Sequence, residues 1–239
     1  MNRIVFLILV LVTANQLTYA QVQHSGWLAS FNTIKINKAI SVHFDAQLRS
    51  TDGLKNVQTQ LLRPGANYHI NKKFTATAGY AFINNRRTVG STIGYLAEHR
   101  IWEQLLYNHP IKTIATSHRL RFEQRFIPNA VVVNNEVEKD GHAQAYRLRY
   151  FIRNVIPLTN QKGFKKGVFT ALQNEVFVNT GNKSAVNGKF FDQNRLYAAI
   201  GYRLPNKVDI EAGYMNQYIK GRTNITNNHI AQIAVYKRL

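Results

Sequence analysis

The sequence predicts an all-β protein: a transmembrane, antiparallel, up-and-down β-barrel of ten to twelve strands behind an N-terminal signal peptide. Three observations carry this expectation. Residues 1–20 have the form of an export signal. Beyond them, apolar and polar residues alternate in runs long enough to cross a bilayer as tilted strands. The connections between those runs alternate between tight turns and longer polar stretches.

In the leader, Arg3 supplies a short positive start, residues 4–12 an unbroken apolar run, and Thr18-Tyr19-Ala20 a small-residue cleavage site, so the mature chain is expected to begin near Gln21. The apolar run is too short for a spanning helix, which needs about 20 residues. No lipobox cysteine follows it, and no second long apolar stretch occurs after Gln21, which excludes a helical membrane protein and leaves strands as the only spanning element. The domains read as 1–20, signal peptide, and 21–239, a single barrel without a linker. With no cysteine, an exported chain has to be held by packing and hydrogen bonds rather than by disulfides. Lys+Arg 31 against Asp+Glu 12 makes it strongly basic, so anionic lipid, an anionic solute or nucleic acid comes into question, and the placement of the charges decides among them.

Along residues 40–49 the alternation has no fault: Ile40, Val42, Phe44, Ala46 and Leu48 share one face, and Ser41, His43, Asp45, Gln47 and Arg49 the other. Residues 73–82 repeat it. Residues 114–126 follow more loosely, with His118 and Gln124 as exceptions on the apolar face. Further segments are 26–35, 56–70, 95–107, 142–156, 168–179, 191–204, 208–219 and 228–239, each near the roughly 9 to 11 residues of a tilted spanning strand. A soluble barrel or sandwich would alternate equally well with its apolar face inward. Charged residues in number on the polar faces favour the membrane arrangement, as do the aromatics Tyr68, Phe74, Phe82, Phe126, Tyr146, Tyr202, Tyr214 and Tyr218 near the ends of the apolar faces. A soluble secreted all-β binding protein is the alternative.

Connections at 37–38, 71–72, 108–112 and 205–206 read as short, with 160–166 longer on the same side; those at 84–94, 128–141, 180–190 and 220–227 read as long external loops. Lysines gather near the short side, at Lys35, Lys38, Lys72, Lys73, Lys112, Lys162, Lys165, Lys166, Lys207 and Lys237, where a periplasmic rim would face anionic headgroups. The segments number eleven, whereas bacterial single-chain barrels use even numbers. The pattern therefore predicts ten strands, if 26–35 is not a wall strand, or twelve, if one strand is missed.

Several strings resemble, in their order along the chain, an uncharacterised family of bacterial outer-membrane proteins, domain of unknown function 2490. They include Gly26-Trp27, Gln60-Leu61-Leu62-Arg63-Pro64-Gly65, Gly79-Tyr80, the run 98–105 from Glu98 to Leu105, and the run 118–125 from His118 to Arg125. Arg147-Leu148-Arg149-Tyr150, Asn174-Glu175-Val176-Phe177, Gln193-Asn194-Arg195 and Gly201-Tyr202 complete the set. The resemblance implies a barrel-like membrane protein; the family brings no activity, substrate or catalytic residue. One departure is the end, Tyr236-Lys237-Arg238-Leu239, where outer-membrane strands often finish on an aromatic.

The densest polar constellation has the parity of a lumen face: Arg63, Glu98, Arg100, Arg119, Arg121, Glu123, Arg125, Arg147, Arg149, Arg153, Glu175 and Arg195. Alternate residues on a strand lie roughly 6.5 to 7 Å apart, so neighbouring strands could interleave Glu98, Glu123 and Glu175 with the arginines as a ladder of paired charges. Two readings follow: a plug of ion pairs filling a small barrel, or a narrow, anion-preferring pore, since rings of arginine lower the barrier for anions.

An enzyme would need a nucleophile beside a base, and Ser41, His43 and Asp45 on one strand face are the best candidates, as in a lipid hydrolase using Ser41/His43. Their polar-face parity points to a hydrogen-bonded cluster instead, and the protein is expected to be non-enzymatic. The remaining histidines show no metal-ligand spacing, so no metal or other cofactor is expected. Glycines before aromatics, Gly79-Tyr80, Gly201-Tyr202 and Gly213-Tyr214, read as close strand packing under aromatic cover. Export removes the chain from nucleic acid. The expected location is the bacterial outer membrane, with outer-membrane lipid and lipopolysaccharide, the barrel-assembly machinery and a small anionic solute as partners.

Overall fold

Every one of the eleven alternating segments forms a strand. The computed structural model describes residues 21–159 and 163–239; the predicted export signal and residues 160–162 of the long turn lie outside them. The strands are β1 (Gln21–Lys35), β2 (Ile40–Thr51), β3 (Asn56–His69), β4 (Phe74–Val89), β5 (Thr92–Ile111), β6 (Ile114–Val133), β7 (Glu136–Pro157), β8 (Gly167–Thr180), β9 (Phe191–Leu204), β10 (Val208–Lys220) and β11 (Ile225–Arg238). Each pairs antiparallel with the next, and the sheet closes into a barrel. Closure leaves no free edge whose backbone groups would lack partners.

The expectation of an even strand number is corrected here. With eleven up-and-down strands the first and last run in the same direction, so β1 pairs β11 in parallel, from Gln21↔Thr226 to Thr33↔Arg238. The pairing continues past the strand ends, where the Lys35 amide donates to the Leu239 carbonyl at 2.9 Å and the Leu239 amide to Thr33 at 2.8 Å. The segment that parity reasoning would have discarded is thus the closing strand.

The long-loop expectation also changes. Residues 84–94 and 128–141 are mostly strand: β4 and β5 turn only at Gly90-Ser91, and β6 and β7 at Asn134-Asn135. Asn134 and Asn135 have φ of 50° and 63°, the left-handed pair that a two-residue hairpin requires and that asparagine tolerates. Similarly, residues 108–111 belong to β5, which shortens that turn to Lys112-Thr113, and the 220–227 connection shrinks to 221–224. A true loop remains at 181–190.

The faces divide opposite to those of a soluble barrel. Leu28, Leu62, Leu120, Ile200 and Ile233 point outward and are exposed, Ile200 by 65%. Asp45, Arg121, Glu123 and Glu211 point inward and are at most 1% exposed. Outward polar groups satisfy one another across strands: Asn174 with Asn194 at 3.2 Å, Asn216 with Asn227 at 2.7 Å, the Tyr150 hydroxyl with His118 Nδ1 at 2.8 Å and the Tyr214 hydroxyl with His229 Nδ1 at 2.5 Å. His118, the exception noted in the alternation, is therefore outward with a partner. Inside, the β8–β11 side and β1 carry an apolar cluster of Trp27, Phe169, Ala171, Tyr197, Ala199, Met215 and Ile230, while β5–β8 carry charge.

The parallel seam is testable because the chain has no cysteine of its own. Leu28 and Ile233 are register partners across it. Oxidation of the Leu28→Cys/Ile233→Cys double variant should yield an intramolecular disulfide, read as a faster-running denatured band, and Leu28→Cys/Val235→Cys should give much less. Equal cross-linking of both pairs would contradict the register.

Candidate functional site

Period-two alternation places the charged residues of β5–β8 on one inner wall, and the register then sets arginine opposite arginine. Arg100 faces Arg125 across β5 and β6, and Arg121 faces Arg149 across β6 and β7. Like charges directly opposite are unfavourable, so the glutamates bridge mostly off the register, Glu123 alone also pairing its direct partner Arg147. Glu98 Oε1 accepts from Arg100 Nε and Arg125 Nε, both at 2.7 Å. Glu123 accepts from Arg147 at 2.6 Å, from Arg149 at 2.5 Å and from Arg100 at 3.5 Å. Glu175 accepts from Arg149 and Arg119, both at 2.7 Å. Arg147 also reaches Asp192 at 2.9 Å, so one network runs from β5 to β9. Arg63 pairs with Asp45, and Arg153 with Glu211, outside it.

Besides Arg86 and Arg87 toward the rim, three inner arginines deeper in the wall have no carboxylate within ion-pair distance among the described residues: Arg49, Arg121 and Arg195. Each is held by a neutral glutamine oxygen, Gln47 at 2.6 Å, Gln104 at 2.6 Å and Gln193 at 3.3 Å. Their flat guanidiniums rest on aromatic faces, an arrangement arginine favours. Arg49 lies 3.9 Å and Arg195 5.0 Å from the Trp27 ring centre, and Arg121 4.3 Å from that of Trp102.

Trp102, 0% exposed, lies against two cross-strand glycines. A Cβ on Gly65 would stand 2.9 Å from the indole, and one on Gly79 would meet the indole and the Pro64 carbonyl. The expected aromatic cover of Gly79 thus comes from the next strand, while its own neighbour Tyr80 points outward. Gly201 is covered by Phe169 in the same way.

All twelve arginines and glutamates of the predicted ladder lie on this inner face. They leave a cavity of about 1120 Å³ whose lining runs from Lys38 and Lys72 at one rim to Arg86 and Arg87 toward the other. Thirteen arginines and four lysines line it against Glu98, Glu175 and Asp192. The Ser41/His43 pairing is corrected: Ser41, 1% exposed, bonds His69 Nε2 at 2.9 Å and accepts from Asn67 at 2.9 Å, while His43 lies 3.5 Å from Asp45. Among the described residues no group of three or more His, Asp or Glu side chains could hold a metal ion.

The ladder omits several members of the wall. Arg49 and Asp45 share the inward parity of β2, and Asp209 and Glu211 that of β10, so period two alone could have found them. The two tryptophans share that parity too, Trp102 with Glu98 and Arg100, but their role as platforms depends on which arginines neighbouring strands bring to them, and Asp192, out of phase with Gln193 and Arg195, carried no such signal.

The fold and wall define a class: a closed, odd-stranded, up-and-down barrel with a charged interior and an apolar exterior. The family described as "Protein of unknown function (DUF2490)" matches residues 24–228, and the chain belongs to it. An uncharacterized protein of Methylorubrum extorquens is 26% identical over 198 residues, covering 81% of this chain and 78% of the relative. No solved structure matches the chain.

Removing one partner of a buried ion pair costs about 3–5 kcal/mol, because it strands the other charge. Glu123→Gln should therefore lower unfolding stability by roughly that amount, measured by denaturant titration in detergent, whereas Glu138→Gln on the exposed hairpin should stay within about 0.5 kcal/mol. Gly79→Ala should cost about 1–3 kcal/mol by overpacking against Trp102. A neutral Gly79→Ala in the same titration would show that the indole has room to move.

Proposed function

We propose that this protein is a non-enzymatic bacterial outer-membrane barrel that forms a narrow, anion-preferring pore. The observation that carries the proposal is the cavity of about 1120 Å³ whose lining sets thirteen arginines and four lysines against three carboxylates. Paired charges hold the wall together without filling the lumen, and the guanidiniums that lack carboxylates leave a positive interior. Such a field raises the local concentration of anions and opposes cations. The membrane part rests on the outward belt of exposed leucine, isoleucine and tyrosine, with its polar groups bonded to one another, as burial in hydrocarbon demands. Sec export, suggested by residues 1–20, and lysines along one rim agree with insertion in an envelope whose lipids are anionic.

The test is reconstitution in planar bilayers under a potassium chloride gradient. The reversal potential should have the sign of chloride preference. Cation preference, or no conductance over repeated insertions, would overturn the pore. Separately, the protein should show heat-modifiable mobility in the outer-membrane fraction; recovery from the supernatant after membranes are pelleted would overturn the location.

A further inference from the structure

Two of the uncompensated arginines converge on one ring. Arg49 on β2 and Arg195 on β9 both lie within 5.0 Å of the Trp27 ring centre, and all three residues line the lumen cavity. Elsewhere in the wall, Arg100 takes a carboxylate oxygen from Glu98, two residues before it on the same strand face. Arg49 and Arg195 use the same spacing, but the residue at that place is Gln47 or Gln193. The hydrogen bond is kept without a carboxylate at that place, and Glu175, the register partner of Arg195 across β8 and β9, is engaged by Arg119 and Arg149 instead. Two guanidiniums are thus drawn toward one indole with no carboxylate within ion-pair distance of either among the described residues.

We infer that Arg49, Arg195 and Trp27 form a clamp for a small dianionic oxyanion of the phosphate type inside the lumen. Phosphate suits the chemistry on three counts. Its oxygens match the planar fork of a guanidinium, two negative charges balance two arginines, and strong charge-assisted bonds become available to N–H groups that a single glutamine oxygen cannot saturate. Trp27 holds Arg49 at 3.9 Å, and Trp27 with Phe177 holds Arg195 at 5.0 and 4.7 Å, so little rotamer freedom is left to lose when the anion arrives. Bulk chloride carries one charge and accepts no bidentate bond, and it should bind far more weakly. The inference rests on the anion-accepting lumen proposed above, and it adds a discrete site and a ligand class.

Isothermal titration of the full-length protein in detergent, at matched ionic strength, should show saturable binding of inorganic phosphate, weaker binding of sulfate or the same, and none of chloride. Arg49→Gln and Arg195→Gln should each weaken phosphate binding roughly 10-fold or more. Gln193→Glu supplies the missing counter-charge internally. It should abolish phosphate binding while raising the thermal midpoint in phosphate-free buffer, a gain that a folding defect would not produce. No saturable phosphate binding by the wild type, or unchanged binding in both arginine variants, overturns the clamp. Phosphate binding by a protein that is silent in bilayers would remove the pore and keep the clamp. Chloride-preferring conductance without phosphate binding would do the reverse.

Discussion

Guanidinium groups packed inside a narrow closed sheet repel one another, and the strand register determines whether each meets a carboxylate. In this barrel the register places Arg100 against Arg125 and Arg121 against Arg149, so direct cross-strand pairing would fail at both places. Glu98, Glu123 and Glu175 resolve the conflict, each bridging at least two arginines along and across strands. A buried ion pair adds little net stability, because desolvation offsets its attraction, but an unpaired buried charge is strongly unfavourable. The network is better understood as fixing register than as supplying stability: a one-residue slip of β6 would turn Arg119, Arg121 and Arg125 to the outside and strand Glu98.

The tallest part of the wall stands on the side of the network, and the closure lies opposite. β5, β6 and β7 carry the network and are the longest strands of the barrel, continuing into hairpins that turn on Gly90-Ser91 and Asn134-Asn135. The opposite side is built from shorter strands with small and apolar inner residues, and there the parallel β1–β11 seam closes the sheet. Parallel pairing is somewhat less stable per residue than antiparallel pairing. The seam's backbone bonds extend to Leu239, and Phe31 stacks on Tyr236 across it at 4.7 Å.

Period two made the wall legible in the sequence because it fixes the face of each residue without reference to any other strand. The inner placement of Arg119, Arg121, Glu123 and Arg125 followed from parity alone, and Arg49 and Asp45 carried the same signal. Three features were not legible. Strand ends were missed at 84–94 and 128–141 because the hairpin arms there are rich in asparagine, arginine and charged residues, which read as loop. The parallel seam was missed because no local feature distinguishes a closing strand, and counting rules argued against it. The histidine beside Ser41 proved to be His69 rather than His43, since neighbouring strands bring it closer than same-strand spacing does. The convergence of Arg49 and Arg195 on Trp27 likewise depends on contacts across the lumen.

The proposed pore and clamp both depend on the inversion of faces, with charged side chains inside and apolar side chains outside. Single cysteines carrying nitroxide labels can read it directly in reconstituted bilayers, one position at a time along β9 from Leu196 to Tyr202. Labels at Leu196, Ala198 and Ile200 should be relaxed by lipid-soluble oxygen, and those at Tyr197 and Ala199 should be protected from it, giving a period of two. The opposite phase, or no phase at all, would contradict the inversion.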